Sequence, residues 1–126
     1  MQAVPRLLKG GTTVAIVADQ AAGARGEMVT FLGRPASTFR GPARLAVATG
    51  APLVFGSMVR ADTEYRMAID ACDEPERPAD EAGARGQVLT ESWVRRLEAR
   101  VRETPTQYLW FHRRWKGRGT NQETST

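Results

Sequence analysis

Thr12-Thr13-Val14-Ala15-Ile16-Val17-Ala18 is a continuous apolar, β-branched run, entered through Gly10-Gly11 and left through Asp19-Gln20. Lacking polar alternation, it predicts a central strand covered on both faces. Asp19 and Gln20 then fall at the carboxyl end of that strand, where open α/β sheets place their ligands. Upstream, Leu7 and Leu8 predict the end of a helix closed by Gly10 or Gly11.

The elements downstream follow from the same reading. Residues 21–26 form a glycine-containing loop, and residues 27–32 predict a short strand ended by Gly33-Arg34-Pro35. Ser37 or Thr38 is expected to cap a helix carrying Leu45, Ala46, Val47 and Ala48, stopped at Gly50 with Pro52 beyond. Residues 53–59 predict a second buried strand. Residues 64–70 alternate and predict a strand with one wet face, joined to the previous one by a turn over 60–63. Residues 70–86 shift to acidic residues, prolines and glycines, and predict a solvated loop. Leu89, Trp93, Leu97 and Val101 recur every four residues, the signature of an amphipathic helix stopped by Pro105. Two buried strands joined through a helix favour a parallel pair with a right-handed crossover. The fold class expected is therefore α/β, with a mixed, mainly parallel sheet flanked by helices.

The chain has 126 residues, of which 41% are hydrophobic and 25% charged. That balance excludes collagen-like, coiled-coil and wholly disordered classes, and the length suits one domain that buries about two-thirds of its unfolded surface. Cys72 and His112 are the only cysteine and histidine. No internal disulfide and no Cys/His metal set can be built from them, and a reducing compartment is the simplest fit. Met1 leads into Gln2, Pro5 and Arg6 rather than a secretory apolar stretch. No apolar run approaches the roughly 20 residues that span a bilayer, so a soluble or peripheral chain is expected. The net charge is +4, and residues 113–126 carry four basic residues against one acidic.

Generic catalytic sets are missing: no Ser/His/Asp spacing, no Walker-type phosphate loop and no zinc pattern. Gly23-Ala24-Arg25-Gly26 lacks the following Lys-Ser/Thr of a phosphate cradle. His112 is the only histidine that could serve as a general base. Asp19-Gln20 can orient a substrate hydroxyl or simply terminate a strand. Glu27 can pair with an arginine inside a site or stand as an exposed strand start. The aromatic, basic segment 108–118 admits three readings: stacking and phosphate contact with a nucleic acid, approach to an anionic membrane surface, or aromatic core filling beneath solvated arginines.

The order of these pieces resembles the carboxyl-terminal half of the bacterial lipid A biosynthesis acyltransferase family. The resemblance is carried by Leu7-Leu8-Lys9-Gly10-Gly11, the apolar run with Asp19-Gln20, and Val29-Thr30-Phe31-Leu32-Gly33-Arg34-Pro35-Ala36 with Thr38. Thr49-Gly50-Ala51-Pro52 and the closing Pro105-Thr106-Gln107-Tyr108-Leu109-Trp110-Phe111-His112-Arg113-Arg114-Trp115-Lys116 complete it. Leu32, where many members carry a second phenylalanine, is a mild departure. The resemblance covers roughly residues 7–118, so residues 1–118 are expected to be the carboxyl-terminal part of one acyltransferase domain, with 119–126 a frayed tail.

The resemblance implies transfer of a fatty acyl chain from acyl carrier protein to a hydroxyl of a lipid A precursor, a phosphorylated glucosamine disaccharide. It places this chemistry at the cytoplasmic face of the inner membrane, with no cofactor, no metal and no nucleic-acid partner. Asp19 and Gln20 match the family's strand-end pair and are expected to line the floor of the site. His112, Arg113, Arg114 and Lys116 match its closing motif, facing headgroup phosphates or forming the wall of the site. With Glu27 they make up the expected substrate-binding set. The family's base is the histidine of a His-x-x-x-x-Asp/Glu motif. Five positions after His112 stands Gly117, so no catalytic residue is assigned here and this chain alone is expected to be inert. Two alternatives stand beside this reading: a phosphatidylinositol mannoside or other glycolipid acyltransferase, and a small basic nucleic-acid-binding module.

Overall fold

The computed structural model describes residues 3–73 and 82–116. In chain order these form helix α1 (Ala3–Lys9), a 3₁₀ turn (Gly23–Arg25), strands β1 (Glu27–Phe31) and β2 (Arg34–Thr38), helix α2 (Gly41–Thr49), strands β3 (Val54–Ala61) and β4 (Glu64–Ala71), helix α3 (Ala82–Glu103) and a second 3₁₀ turn (Pro105–Gln107). The class is mixed α and β, but the sheet differs from expectation. Among the described residues there are two separate two-stranded sheets, β1 with β2 and β3 with β4, both antiparallel.

The parallel pairing expected between residues 12–18 and the strand after α2 is not formed. Residues 12–18 have no strand assignment, and none of residues 13–19 exchanges a backbone hydrogen bond with another described residue. The physical reason is that a strand exists only through its ladder. β3 gives its ladder to β4, and its outer edge is met at Arg60 by a side chain instead. Gln107 Oε1 accepts the Arg60 N–H at 2.7 Å, and Gln107 Nε2 donates to the Arg60 carbonyl at 2.9 Å.

α3 organises the core. Leu89, Trp93, Val94, Leu97 and Val101 are buried along one face, against Val29 and Phe31 of β1, Ala36 of β2, and Ala43 and Ala46 of α2. The helix begins at Ala82 rather than beyond Gly86, which corrects the expected loop at its end. Residues 74–81 of that loop, like 117–126 with the expected tail, lie outside the described residues. A second correction concerns Ser37 and Thr38, which belong to β2 and not to a helix cap. The Thr38 hydroxyl donates to the Ala36 carbonyl at 3.1 Å and that of Ser37 to the Gly23 carbonyl at 2.5 Å. α2 instead starts after Arg40 with Pro42 in its first turn, where the missing N–H costs nothing. It ends at Gly50 (φ 73°), as its sequence predicts.

The β1–β2 hairpin turns through Leu32 (φ 50°) and Gly33 (φ 77°). Two successive positive φ values suit the right-handed twist of a two-residue hairpin, and Leu32 is strained there. The Glu98 carboxylate of α3 accepts the Leu32 N–H at 2.8 Å, tying the turn to the core helix. Its hydrogen bonds from Arg102 and from Leu32 hold the Glu98 carboxyl below the usual range. A carboxyl lowered on folding contributes stability above its unfolded pKa, and that stability is lost as pH falls through the folded value. Glu98→Ala is therefore expected to destabilise by about 1–3 kcal/mol at neutral pH, the cost of an orphaned backbone donor. In urea unfolding at a series of pH values the gap from wild type should shrink on acidification; a pH-independent gap contradicts this role.

Candidate functional site

Two concavities are lined by residues that follow one another closely in the chain, Asp19 in one and Ala21 in the other. The larger is an apolar cleft of about 610 Å³, within the size range of small-molecule sites. One wall is the run 13–19, so strongly apolar because it lines a groove rather than the middle of a sheet. Another is the β3–β4 hairpin, whose alternation presents Val54, Gly56 and Met58 of β3 with Met67 and Ile69 of β4 on one face. The opposite face turns toward α3, where Arg100 pairs with Asp70 at 3.1 Å. Leu45, Ala46, Leu53, Trp93, Leu97 and Val101 supply the floor.

Asp19 and Tyr108 line this cleft, and both act electrostatically on Arg114. Arg114 is fully buried, at 0% exposure. Its guanidinium donates through Nη1 to the Ser37 carbonyl at 2.5 Å and through Nη2 to the Thr38 hydroxyl at 2.8 Å. It also lies over the Phe31 ring at 5.4 Å. Burial pushes its pKa down, while Tyr108 and Asp19 act in the opposite direction. Burial pushes the Tyr108 phenol up, opposed by Arg114 and reinforced by Asp19. The phenol therefore stays protonated at neutral pH and can donate a hydrogen bond.

The second concavity, of about 420 Å³, is basic and is lined by Ala21, Gly23, Phe111, His112, Arg113 and Lys116. His112 Nε2 accepts the Ala21 N–H at 2.9 Å. In this arrangement its lone pair is already engaged, and a ring protonated on that nitrogen could not accept the bond. Arg113 and Lys116 are exposed. Only Gln20 separates Asp19 in the cleft from Ala21 in the depression, so the two concavities approach each other along the chain to within one residue.

The expected residues thus divide. Asp19 lines the cleft and interacts electrostatically with Arg114, which is buried and does not line it, and His112, Arg113 and Lys116 surround the depression. Gln20 is exposed at the boundary and does not line the cleft, and Glu27 starts β1, half-buried, opposite Thr38. Tyr108, Phe31 and Thr38 were not in the expected set, although all three lie in the quoted motifs. The signal was aromatic density around Arg114: Phe31 stacks on Trp115 at 5.7 Å and meets Tyr108 at 5.9 Å. Cys72 is buried, and its thiol is pushed up by that burial, which suits packing rather than reactivity. Among the described residues no group of His, Cys, Asp or Glu could hold a metal ion. No described helix is long and apolar enough to cross a membrane.

An apolar groove that ends at a half-buried carboxylate and phenol, with a buried guanidinium near both and a cationic hollow beside it, has the chemistry to hold an amphiphile bearing an anionic group. Residues 1–117 match the family model described as bacterial lipid A biosynthesis acyltransferase, and the chain belongs to that family. Its enzyme class is acyltransferase, of the lipid A biosynthesis type. No curated protein sequence matches the chain.

The closing motif places adjacent side chains in opposite environments, which unfolding experiments can read. Arg114→Ala is expected to cost about 3–5 kcal/mol, as for removal of a buried, hydrogen-bonded charge. Arg113→Ala and Lys116→Ala should each stay within about 0.5 kcal/mol of wild type. Equal effects at the three positions in urea unfolding, followed by tryptophan fluorescence, would contradict the assignment.

Proposed function

We propose that this chain supplies the acyl-chain groove and part of the acceptor site of an enzyme acylating a lipid A precursor at the cytoplasmic face of the inner membrane. The observation that carries this reading is the closeness of the apolar cleft and the basic depression, lined by Asp19 and Ala21 on either side of Gln20. A fatty acyl tail in the cleft would bring its thioester to the polar end, where Tyr108 and Asp19 stand. A glycolipid phosphate would sit against Arg113 and Lys116, whose side chains are exposed and cationic. Arg114, fully buried, lines neither concavity and acts on Asp19 and Tyr108 electrostatically.

The reaction joins the acceptor hydroxyl oxygen to the acyl carbonyl carbon and breaks the carbon–sulfur bond to acyl carrier protein. The hydroxyl proton passes to a base and on to the departing thiolate. No His-x-x-x-x-Asp/Glu base occurs in these 126 residues, and His112 Nε2 is engaged by Ala21. The base therefore belongs to the remainder of the domain, and this chain alone transfers no acyl group. No cofactor and no nucleic acid enter the reaction, and a phosphatidylinositol mannoside or other glycolipid would use the same two concavities.

Gly56 offers a direct test because a Cβ added there meets nothing within 4 Å, yet the residue lines the cleft. By calorimetry, dodecanoyl-pantetheine thioester should bind the wild-type chain and lose about tenfold or more in affinity for Gly56→Phe, whose ring fills the groove. Incubation with acyl carrier protein thioester and a lipid A precursor should yield no acylated product. Equal binding by the variant contradicts the groove, and turnover by the chain contradicts the placement of the base.

A further inference from the structure

The segment between the second 3₁₀ turn and Arg114 carries an apolar tip that the core does not use. Leu109, Trp110 and Phe111 are exposed at 61%, 48% and 97%, whereas Tyr108 and Trp115 on either side pack against Phe31. The tip stands on a held backbone. The Leu109 carbonyl accepts the His112 N–H at 3.2 Å, the Tyr108 carbonyl accepts the Trp110 N–H at 2.9 Å, and the Trp110 indole donates to the Pro105 carbonyl at 2.6 Å. Arg113 and Lys116 are exposed beside it and border the depression together with Phe111.

Three contiguous large apolar side chains with two cations alongside match the layering of an anionic bilayer surface. Apolar side chains enter the acyl boundary, tryptophan sits at the headgroup level, and basic residues meet phosphate. We propose that the 109–111 tip inserts into an anionic phospholipid surface, with Arg113 and Lys116 on its headgroup phosphates. Leu109 has no flat face for a base, and the Trp110 ring meets Tyr108 edge-on at 4.9 Å, so a single-stranded nucleic acid finds one open aromatic platform, Phe111, instead of a series. A second copy of this chain would bring the same cations against themselves. The inference deepens the proposed membrane-lipid reaction and rests on it for the choice of a lipid surface.

The test is vesicle sedimentation of the full chain. It should partition onto vesicles of phosphatidylglycerol and phosphatidylethanolamine in equal parts, weakly onto phosphatidylcholine, and less as salt is raised. Phe111→Asp should weaken partition at least about tenfold. Arg113→Gln and Lys116→Gln should weaken it about fivefold each. Lipids brominated near the headgroup should quench tryptophan fluorescence in the wild type and not in Trp110→Phe. Near-UV circular dichroism confirms that each variant retains the fold.

The proposal is overturned if wild type ignores anionic vesicles, if Phe111→Asp binds as wild type does, or if quenching survives Trp110→Phe. It is equally overturned if Phe111→Asp acts by abolishing self-association or binding to single-stranded DNA instead. Dodecanoyl thioester binding that persists without vesicle binding overturns this inference alone and leaves the proposed reaction standing. Loss of thioester binding with vesicle binding intact does the reverse.

Discussion

Arg114 is the constraint around which the site is arranged. A guanidinium with no exposed surface costs several kcal/mol to desolvate unless its donors are met. Here the Ser37 carbonyl and the Thr38 hydroxyl take Nη1 and Nη2, the Phe31 ring and the nearby Asp19 and Tyr108 offset part of the remaining charge, and the Nε–H alone has no hydrogen-bond partner among the described residues. Because two of these partners lie on β2, one on β1 and one before the first 3₁₀ turn, satisfying the charge draws distant parts of the chain to one point. The alternation along the closing segment follows. With Arg114 inward, Arg113 and Lys116 face outward, and His112 reaches the Ala21 amide.

That alternation separates two tasks within one short motif. Gln107 completes the outer edge of β3, Tyr108 closes the polar end of the cleft, and Trp115 donates to the Phe31 carbonyl at 3.3 Å while Arg34 covers its ring. These residues hold the wall in place. Leu109, Trp110, Phe111, Arg113 and Lys116 take no part in the wall and are presented outward. A motif rich in aromatics and arginine is therefore half pillar and half surface, and its basic residues differ in kind although their charges are equal.

Periodicity made part of this legible. The four-residue repeat from Leu89 to Val101 gives α3, the alternation over 64–70 gives β4, and Gly50 ends α2 in the left-handed conformation its position implies. The run 12–18 misled because continuous apolar character marks loss of water from two sides without saying what replaces it. In this chain a cleft does so on one side, and Val17 remains 86% exposed. Ser37 and Thr38 misled because hydroxyl residues before an apolar stretch suit a cap, but β-branched Thr38 is held in β2 by the buried guanidinium 76 positions away. No local pattern carries that contact. For the same reason the site residues in the motif were legible as a group, while the division between buried Arg114 and exposed Arg113 was not.

The central claim is that an acyl chain lies between residues 13–19 and the outward face of the β3–β4 hairpin. Methyl-resolved carbon-13 spectra of the chain with a dodecanoyl thioester spin-labelled at the chain terminus test it most directly. The account predicts selective broadening of the Ile16, Met58, Met67 and Ile69 methyl signals, with Leu89 and Val94, which are fully buried in the core and do not line the cleft, far less affected. Uniform broadening across both groups, or broadening confined to residues 109–116, would contradict it.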